Sequence, residues 1–152
     1  MSCRAVILAA ALSAIVATQA AAQTAADPAR EIAGVPTSIT DGDTFRLGAI
    51  RVRLWGVDAP ELATRFGPAA RQRLAELIDG RAVRCGPEVG RSYRRTVRAC
   101  LNWQGIDLSR EMVREGWAVD WPSYSHGAYA AEEARAERAR AGVFAYGVQP
   151  WR

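Results

Sequence analysis

The 152-residue chain contains no lysine; all 20 of its basic residues are arginine. It has a single histidine, His126, and its three cysteines include no C-x-x-C spacing. A zinc site built from imidazole and thiolate therefore lacks its ligands. A Ser–His–Asp hydrolase would have to use His126 with Ser123 or Ser125, and no nucleophile-elbow motif surrounds either serine. Walker-type and dinucleotide-type glycine loops are missing, and so is any internal repeat. The longest apolar run, residues 5–17, would rise ~20 Å as a helix, short of a ~30 Å hydrocarbon core. A polytopic membrane protein is excluded on that ground. At 49% hydrophobic and 24% charged residues the chain is also too apolar to be disordered.

What is present is basic: the formal net charge is +4 and the pI about 9.4. Codon bias in a GC-rich genome explains the missing lysine equally well, but planar guanidinium groups bind phosphate bidentately, which favours a nucleic-acid partner. Arg4, the apolar run and Ala20-Ala21-Ala22 read together as a secretory signal peptide, residues 1–22, with cleavage after Ala20 or Ala25 as alternatives. An uncleaved N-terminal anchor is the competing reading. Export to the periplasm or beyond is expected, without stable membrane association after cleavage. Residues 23–34 read as a tether, 35–146 as the folded domain and 147–152 as a tail. Cys3 leaves with the signal peptide. Cys85 and Cys100 then form an even pair in an exported protein and are a candidate disulfide, two buried free thiols being the alternative.

Period-two alternation of Phe45 and Leu47 with Thr44 and Arg46, then of Ile50, Val52 and Leu54 with Arg51, Arg53 and Trp55, predicts a hairpin turning at Gly48-Ala49 with one buried face. Pro68 opens a helix ending at Asp79-Gly80, with Ala70, Leu74, Leu77 and Ile78 on its apolar side. Residues 82–85 and 96–103 read as a second strand pair joined by a Gly- and Arg-rich loop. Asp107 or Ser109 caps a second helix with apolar Leu108, Met112 and Val113, ending at Gly116. A third helix spans about 128–141, with Glu132–Arg135 and Glu137–Arg140 as i,i+3 pairs on a solvated face. This order predicts an α+β domain, a small curled antiparallel sheet with attached helices.

Three constellations carry chemistry. Asp41-Gly42-Asp43-Thr44 is a tight turn; Phe45 and Arg46 exclude an EF-hand loop. In residues 53–61, Arg-Leu-Trp-Gly-Val-Asp-Ala-Pro-Glu, an arginine ends a strand and two acids flank a proline-stiffened turn. Two acidic turns side by side would chelate a hard cation through oxygen; the alternative is a surface Arg53–Asp58 ion pair. The third is Arg81, Arg84, Arg91, Arg94, Arg95 and Arg98 around Tyr93, a pattern suited to a nucleic-acid strand or simply to a solvated loop.

Taken in order, Asp41-Gly42-Asp43-Thr44, residues 53–61, Phe66-Gly67-Pro68, Tyr93-Arg94-Arg95 and residues 112–118 (Met-Val-Arg-Glu-Gly-Trp-Ala) resemble the staphylococcal nuclease family over about residues 35–144. The resemblance implies an OB-fold, a five-stranded barrel with three helices. It implies a calcium-dependent phosphodiesterase that hydrolyses DNA or RNA and leaves 3′-phosphate ends; oxygen ligands also admit magnesium or manganese. Asp43 and Asp58 match the family's calcium-ligating carboxylates, and Ala59 stands where a backbone carbonyl is a ligand. Glu61 matches the glutamate that orients or deprotonates water, and Arg53 and Arg95 the two arginines on the scissile phosphate. Tyr93 and, on a looser alignment, Tyr124 match nucleotide-contacting tyrosines. Arg91 and Arg94 depart from the family's Asp and Gly on either side of Tyr93, and the turn after Leu47 and the segment between Glu61 and Phe66 are shorter than in the staphylococcal enzyme. A monomer is expected. The alternatives are a non-catalytic OB-fold module binding nucleic acid or another polyanion, and an envelope interaction domain using Trp103, Trp117, Trp121 and Trp151.

Overall fold

The computed structural model describes residues 27–147. The expected signal peptide, residues 1–22, and residues 148–152 of the expected tail lie outside the described residues. The first half contains β1 (Ile32–Gly34), β2 (Ser38–Ile39), β3 (Thr44–Leu47), β4 (Ile50–Leu54), β5 (Val57–Asp58) and helix α1 (Gly67–Ile78). Strands β6 (Val83–Cys85), β7 (Gly90–Ser92), β8 (Arg95–Arg98) and β9 (Cys100–Leu101) follow. Helix α2 (Leu108–Arg114), β10 (Val119–Asp120), short α3 (Pro122–Ser125), α4 (Ala130–Ala139) and a 3-10 turn (Gly142–Tyr146) complete it. The architecture is α+β.

The expected hairpin forms. Gly48 at φ 56° supplies the left-handed turn, and Phe45 and Val52 face each other in register, both fully buried. Strand β4 is also parallel to β8, which gives a five-stranded sheet in the order β2-β3-β4-β8-β7. The remaining strands make a three-stranded sheet, β1-β6-β9, and a two-stranded one, β10-β5. Among the described residues the strands pair as three sheets, and the five-stranded one is not closed into a ring by strand pairing. Phe45, Leu54, Leu74, Ile78, Leu108, Met112 and Val113 form the core between sheet and helices, and burial of each such side chain contributes about 1.5–3 kcal/mol. Asp107 is the cap of α2, accepting from Arg110 N at 3.2 Å. Ser109, the other candidate, instead donates to Trp55 O at 2.9 Å and ties α2 to the end of β4.

Four expectations need correction. Residues 82–85 do pair with the expected strand 96–103, but only with its end, Arg84 with Leu101 and Cys85 with Cys100; the segment breaks at Ala99, and its first part, β8, pairs instead with β4 and with β7, a strand inside the expected loop. Each of these strands is too short for alternation to fix its partner. The tether reading of residues 23–34 fails at its end, because Ile32, Ala33 and Gly34 pair with Cys85, Arg84 and Val83. Buried Arg98 reinforces that boundary, donating from Nη1 to Arg30 O at 2.8 Å and Gly86 O at 2.6 Å. The domain therefore begins ahead of residue 35. Four α-helices stand among the described residues where three were expected, since Pro122 starts the extra turn α3. Glu132 pairs with Arg110 of α2, a tertiary contact where an intrahelical pair with Arg135 was expected. Cys85 and Cys100 face each other across β6 and β9 and form a disulfide.

Candidate active site

Close packing of two turns builds the centre. A Cβ on Gly42 would lie 2.7 Å from Ala70 Cβ and 2.8 Å from Ala59 Cβ, so only glycine lets the 41–44 turn seat against α1 and the 58–61 turn. Strand register sets the third component, placing Thr44 opposite Arg53 on one face of the β3–β4 hairpin.

Asp43 is 2% exposed and its carboxylate is held by three neighbours. Thr44 Oγ1 donates to Oδ1 at 2.7 Å and Ala59 N donates to Oδ2 at 3.2 Å. Arg53 Nη1 lies 3.0 Å from Oδ1 and 2.9 Å from Oδ2. The other end of the same guanidinium, Nη2, donates to Asp58 Oδ1 at 2.8 Å and Val57 O at 3.3 Å. Arg53, 6% exposed, thus joins both aspartates and stands over the Trp121 ring at 5.4 Å. Burial pushes the Asp43 carboxyl up to about 7, opposed by the Arg53 charge and aided by that of Asp41.

Arg95 joins through Thr44, whose Oγ1 accepts from its Nη1 at 3.2 Å while donating to Asp43. Arg95 Nη2 also donates to Ser92 Oγ at 3.1 Å across the β7–β8 hairpin. Tyr93 sits at the tip of that hairpin, 95% exposed and at φ 54°, with Arg95 5.9 Å from its ring centroid. The left-handed position there belongs to Tyr93 and not to Arg94, so the arginine in place of the family's glycine leaves Arg95 anchored. Tyr124 is 57% exposed and packs edge-on to Trp121 at 4.7 Å. A groove of about 460 Å³ runs beside Arg53, Ser92, Trp121 and Tyr124.

Asp43, Arg53, Asp58 and Ala59 are therefore brought into direct contact, Arg95 joins them through one hydroxyl, and Tyr93 and Tyr124 stand on the rim. Glu61 is exposed on the turn after Asp58, and no hydrogen bond joins its carboxylate to the cluster among the described residues. Thr44 and Trp121 are the site residues that the sequence reading did not assign. Thr44 was legible as the next residue on the strand face of Arg53, whereas Trp121 looked like an ordinary barrel tryptophan.

Among the described residues, no three Asp, Glu, His or Cys side chains converge as a metal cluster. The two aspartates nonetheless fit a hard cation: both offer oxygen donors, and one guanidinium, Arg53, brings their carboxylates together.

Residues 51–145 match the family described as staphylococcal nuclease homologue. The chain belongs to this family. The staphylococcal nuclease homologue is accordingly an OB-type domain in the α+β class. Its matched span includes Arg53, Asp58, Ala59, Glu61, Tyr93, Arg95 and Tyr124, while Asp43 precedes it and joins through the geometry above. The homologue is 35% identical over 136 residues to a micrococcal nuclease of Shigella flexneri, covering 78% of each chain. It is 34% identical over 93 residues to an uncharacterized endonuclease of Haemophilus influenzae, 58% of this chain. It spans about half the length, 52%, of that Haemophilus relative. A third relative, the succinoglycan biosynthesis protein ExoI of Rhizobium meliloti, is 32% identical over 118 residues, 70% of this chain and 62% of its own.

Proposed function

We propose that this homologue is a calcium-dependent phosphodiesterase that hydrolyses DNA or RNA to products with 3′-phosphate ends. The observation that carries the reading is one nearly buried guanidinium, Arg53, spanning Asp43 and Asp58 with Arg95 one hydroxyl away. A module that only bound polyanions would gain nothing from two carboxylates beside its phosphate-binding arginines. The micrococcal nuclease and endonuclease names of two relatives support the same class of reaction.

Asp43, Asp58 and the Ala59 carbonyl would hold the cation, which when bound neutralises phosphate charge and polarises water. The remaining chemistry belongs to this chain's side chains. A phosphodiester gains charge on its non-bridging oxygens as water adds in line. Arg53 and Arg95 donate to those oxygens, and their hydrogen bonds strengthen as that charge grows, which lowers the barrier. A guanidinium has five N–H donors, so Arg53 can hold an aspartate and a phosphate oxygen together. Thr44 fixes the relative position of the two arginines, and Trp121 supports the Arg53 plane. Glu61, exposed on the turn after Asp58, would hold or deprotonate the attacking water. The P–O5′ bond would break as the water oxygen bonds to phosphorus, the proton lost by that water passing through solvent to the leaving 5′ oxygen, and phosphate would stay on the 3′ side. Tyr93 and Tyr124 offer faces for bases. The Cys85–Cys100 disulfide supports export to an oxidising compartment, where the protein acts as a monomer.

The test is digestion of single- and double-stranded DNA and RNA with calcium or with EGTA, followed by assignment of product ends. Calcium-dependent cleavage leaving 3′-phosphate is expected. Equal cleavage in EGTA, or 3′-hydroxyl ends, overturns the reading.

A further inference from the structure

Alternation along β3 and β4 puts Phe45 and Val52 into the core and places Thr44, Arg46, Arg51 and Arg53 on the opposite face. Strand β8 adds Arg95 to that face, because Val97, two residues on, is the register partner of Arg53. Four arginines therefore share one sheet face. Two of them, Arg53 and Arg95, are anchored by the contacts described above. The other two, Arg46 and Arg51, are direct cross-strand partners in the antiparallel register. Like charges directly opposite each other destabilise a strand pair. Neither has an acidic partner among the described residues, and the nearest polar contact is Arg46 Nη2 to Ala49 O at 3.5 Å. Both residues are half-buried and keep part of their surface open to solvent. Two facing cations on a solvent-accessible sheet are a fork for one anion.

We propose that Arg46 and Arg51 form a second phosphate-binding subsite, next along the sheet face to the Arg53–Arg95 pair. Arg51 and Arg53 are two residues apart on one strand, so their side chains emerge about 6.6–6.8 Å apart, on the scale of one nucleotide step in an extended single strand. The ligand class is an oligonucleotide whose neighbouring phosphate reaches the β3–β4 hairpin; a dinucleotide, with one phosphodiester, cannot fill both positions. This subsite rests on the proposed phosphodiesterase reading for its ligand, and its test separates the two.

Arg46→Gln/Arg51→Gln and wild-type protein are compared, after thermal melting confirms both are folded, by fluorescence anisotropy of a labelled oligothymidylate in EGTA across a sodium chloride series. The same pair is compared in calcium for kcat/KM on the oligomer and on a thymidine dinucleotide. The double variant should bind the oligomer roughly tenfold more weakly, with a log K against log salt slope shallower by about 0.7. Dinucleotide hydrolysis should be unchanged, and Arg46→Lys/Arg51→Lys should restore the slope. Oligomer affinity and slope equal to wild type overturn the subsite, as does a parallel fall in dinucleotide hydrolysis. If wild type cleaves nothing yet the oligomer result holds, the phosphodiesterase reading fails and the subsite stands.

Discussion

The buried centre and the exposed rim of the candidate site are built on opposite principles. Asp43 and Arg53 are almost wholly buried, and each makes several hydrogen bonds to neighbours fixed by strand register or close packing. The side chains of Tyr93 and Tyr124 are mostly exposed and make ring contacts with Arg95 and Trp121. A site that stabilises developing charge gains from donors already in place, because no reorganisation then accompanies the reaction. A surface meeting bases of any sequence gains from faces that adapt. The buried pair Asp43 and Arg53 should therefore govern kcat and stability together, the part-exposed Arg95 kcat alone, and the rim KM alone.

The sharpest way to break this contrast is Arg53→Ala. It should lower kcat by about 10²–10³ and, in EGTA, destabilise the fold by several kcal/mol, about 3–5 for a buried pair losing one partner. Stopped assays and urea denaturation read the two effects. Arg95→Ala should lower kcat by about 10² and leave the urea midpoint close to wild type, since Arg95 is partly exposed and its partners are hydroxyl and carbonyl groups. An equal loss of stability in both variants would erase the distinction between them.

Proton competition gives the next effect. The Asp43 carboxyl is raised to about 7, mainly by burial. Below that pH a proton occupies the ligand, so calcium affinity by calorimetry should fall as pH drops from 8 to 6, by up to about tenfold per unit. The sign for the metal-free fold is the reverse. A carboxyl raised above its unfolded value favours the folded state most at low pH, and this contribution is lost as pH rises through about 7. Calcium should therefore raise the melting temperature more at pH 8 than at pH 6. The smallest effects belong to the rim. Tyr93→Ala should raise KM about fivefold with kcat unchanged, at the low end for a stacked base. Tyr93→Gly should do the same while being more stable than the alanine variant by about 1 kcal/mol, because φ 54° suits glycine.

Long, periodic segments were legible in the sequence. The Phe45/Val52 alternation predicted the hairpin, and Pro68 and the spacing of Ala70, Leu74 and Ile78 predicted α1. Local patterns suffice where an element has enough residues to show its period. Strands of two to four residues show none, so β7 reads as loop and the pairing of β8 with β4 is not legible, although the pairing of residues 82–85 with 100–101 is. The acidic turns and the two arginines were readable as motifs, but their roles rested on resemblance rather than on spacing.

The sequence by itself determined which residues alternate, where the turns need glycine, and that arginine is the sole cation present. Only tertiary structure decided that the 41–44 turn packs within glycine distance of Ala59 and Ala70, and that β4 lies parallel to β8. Those pairings join residues far apart along the chain. Their energy comes from burial and hydrogen bonds formed after closure, which local pattern does not encode.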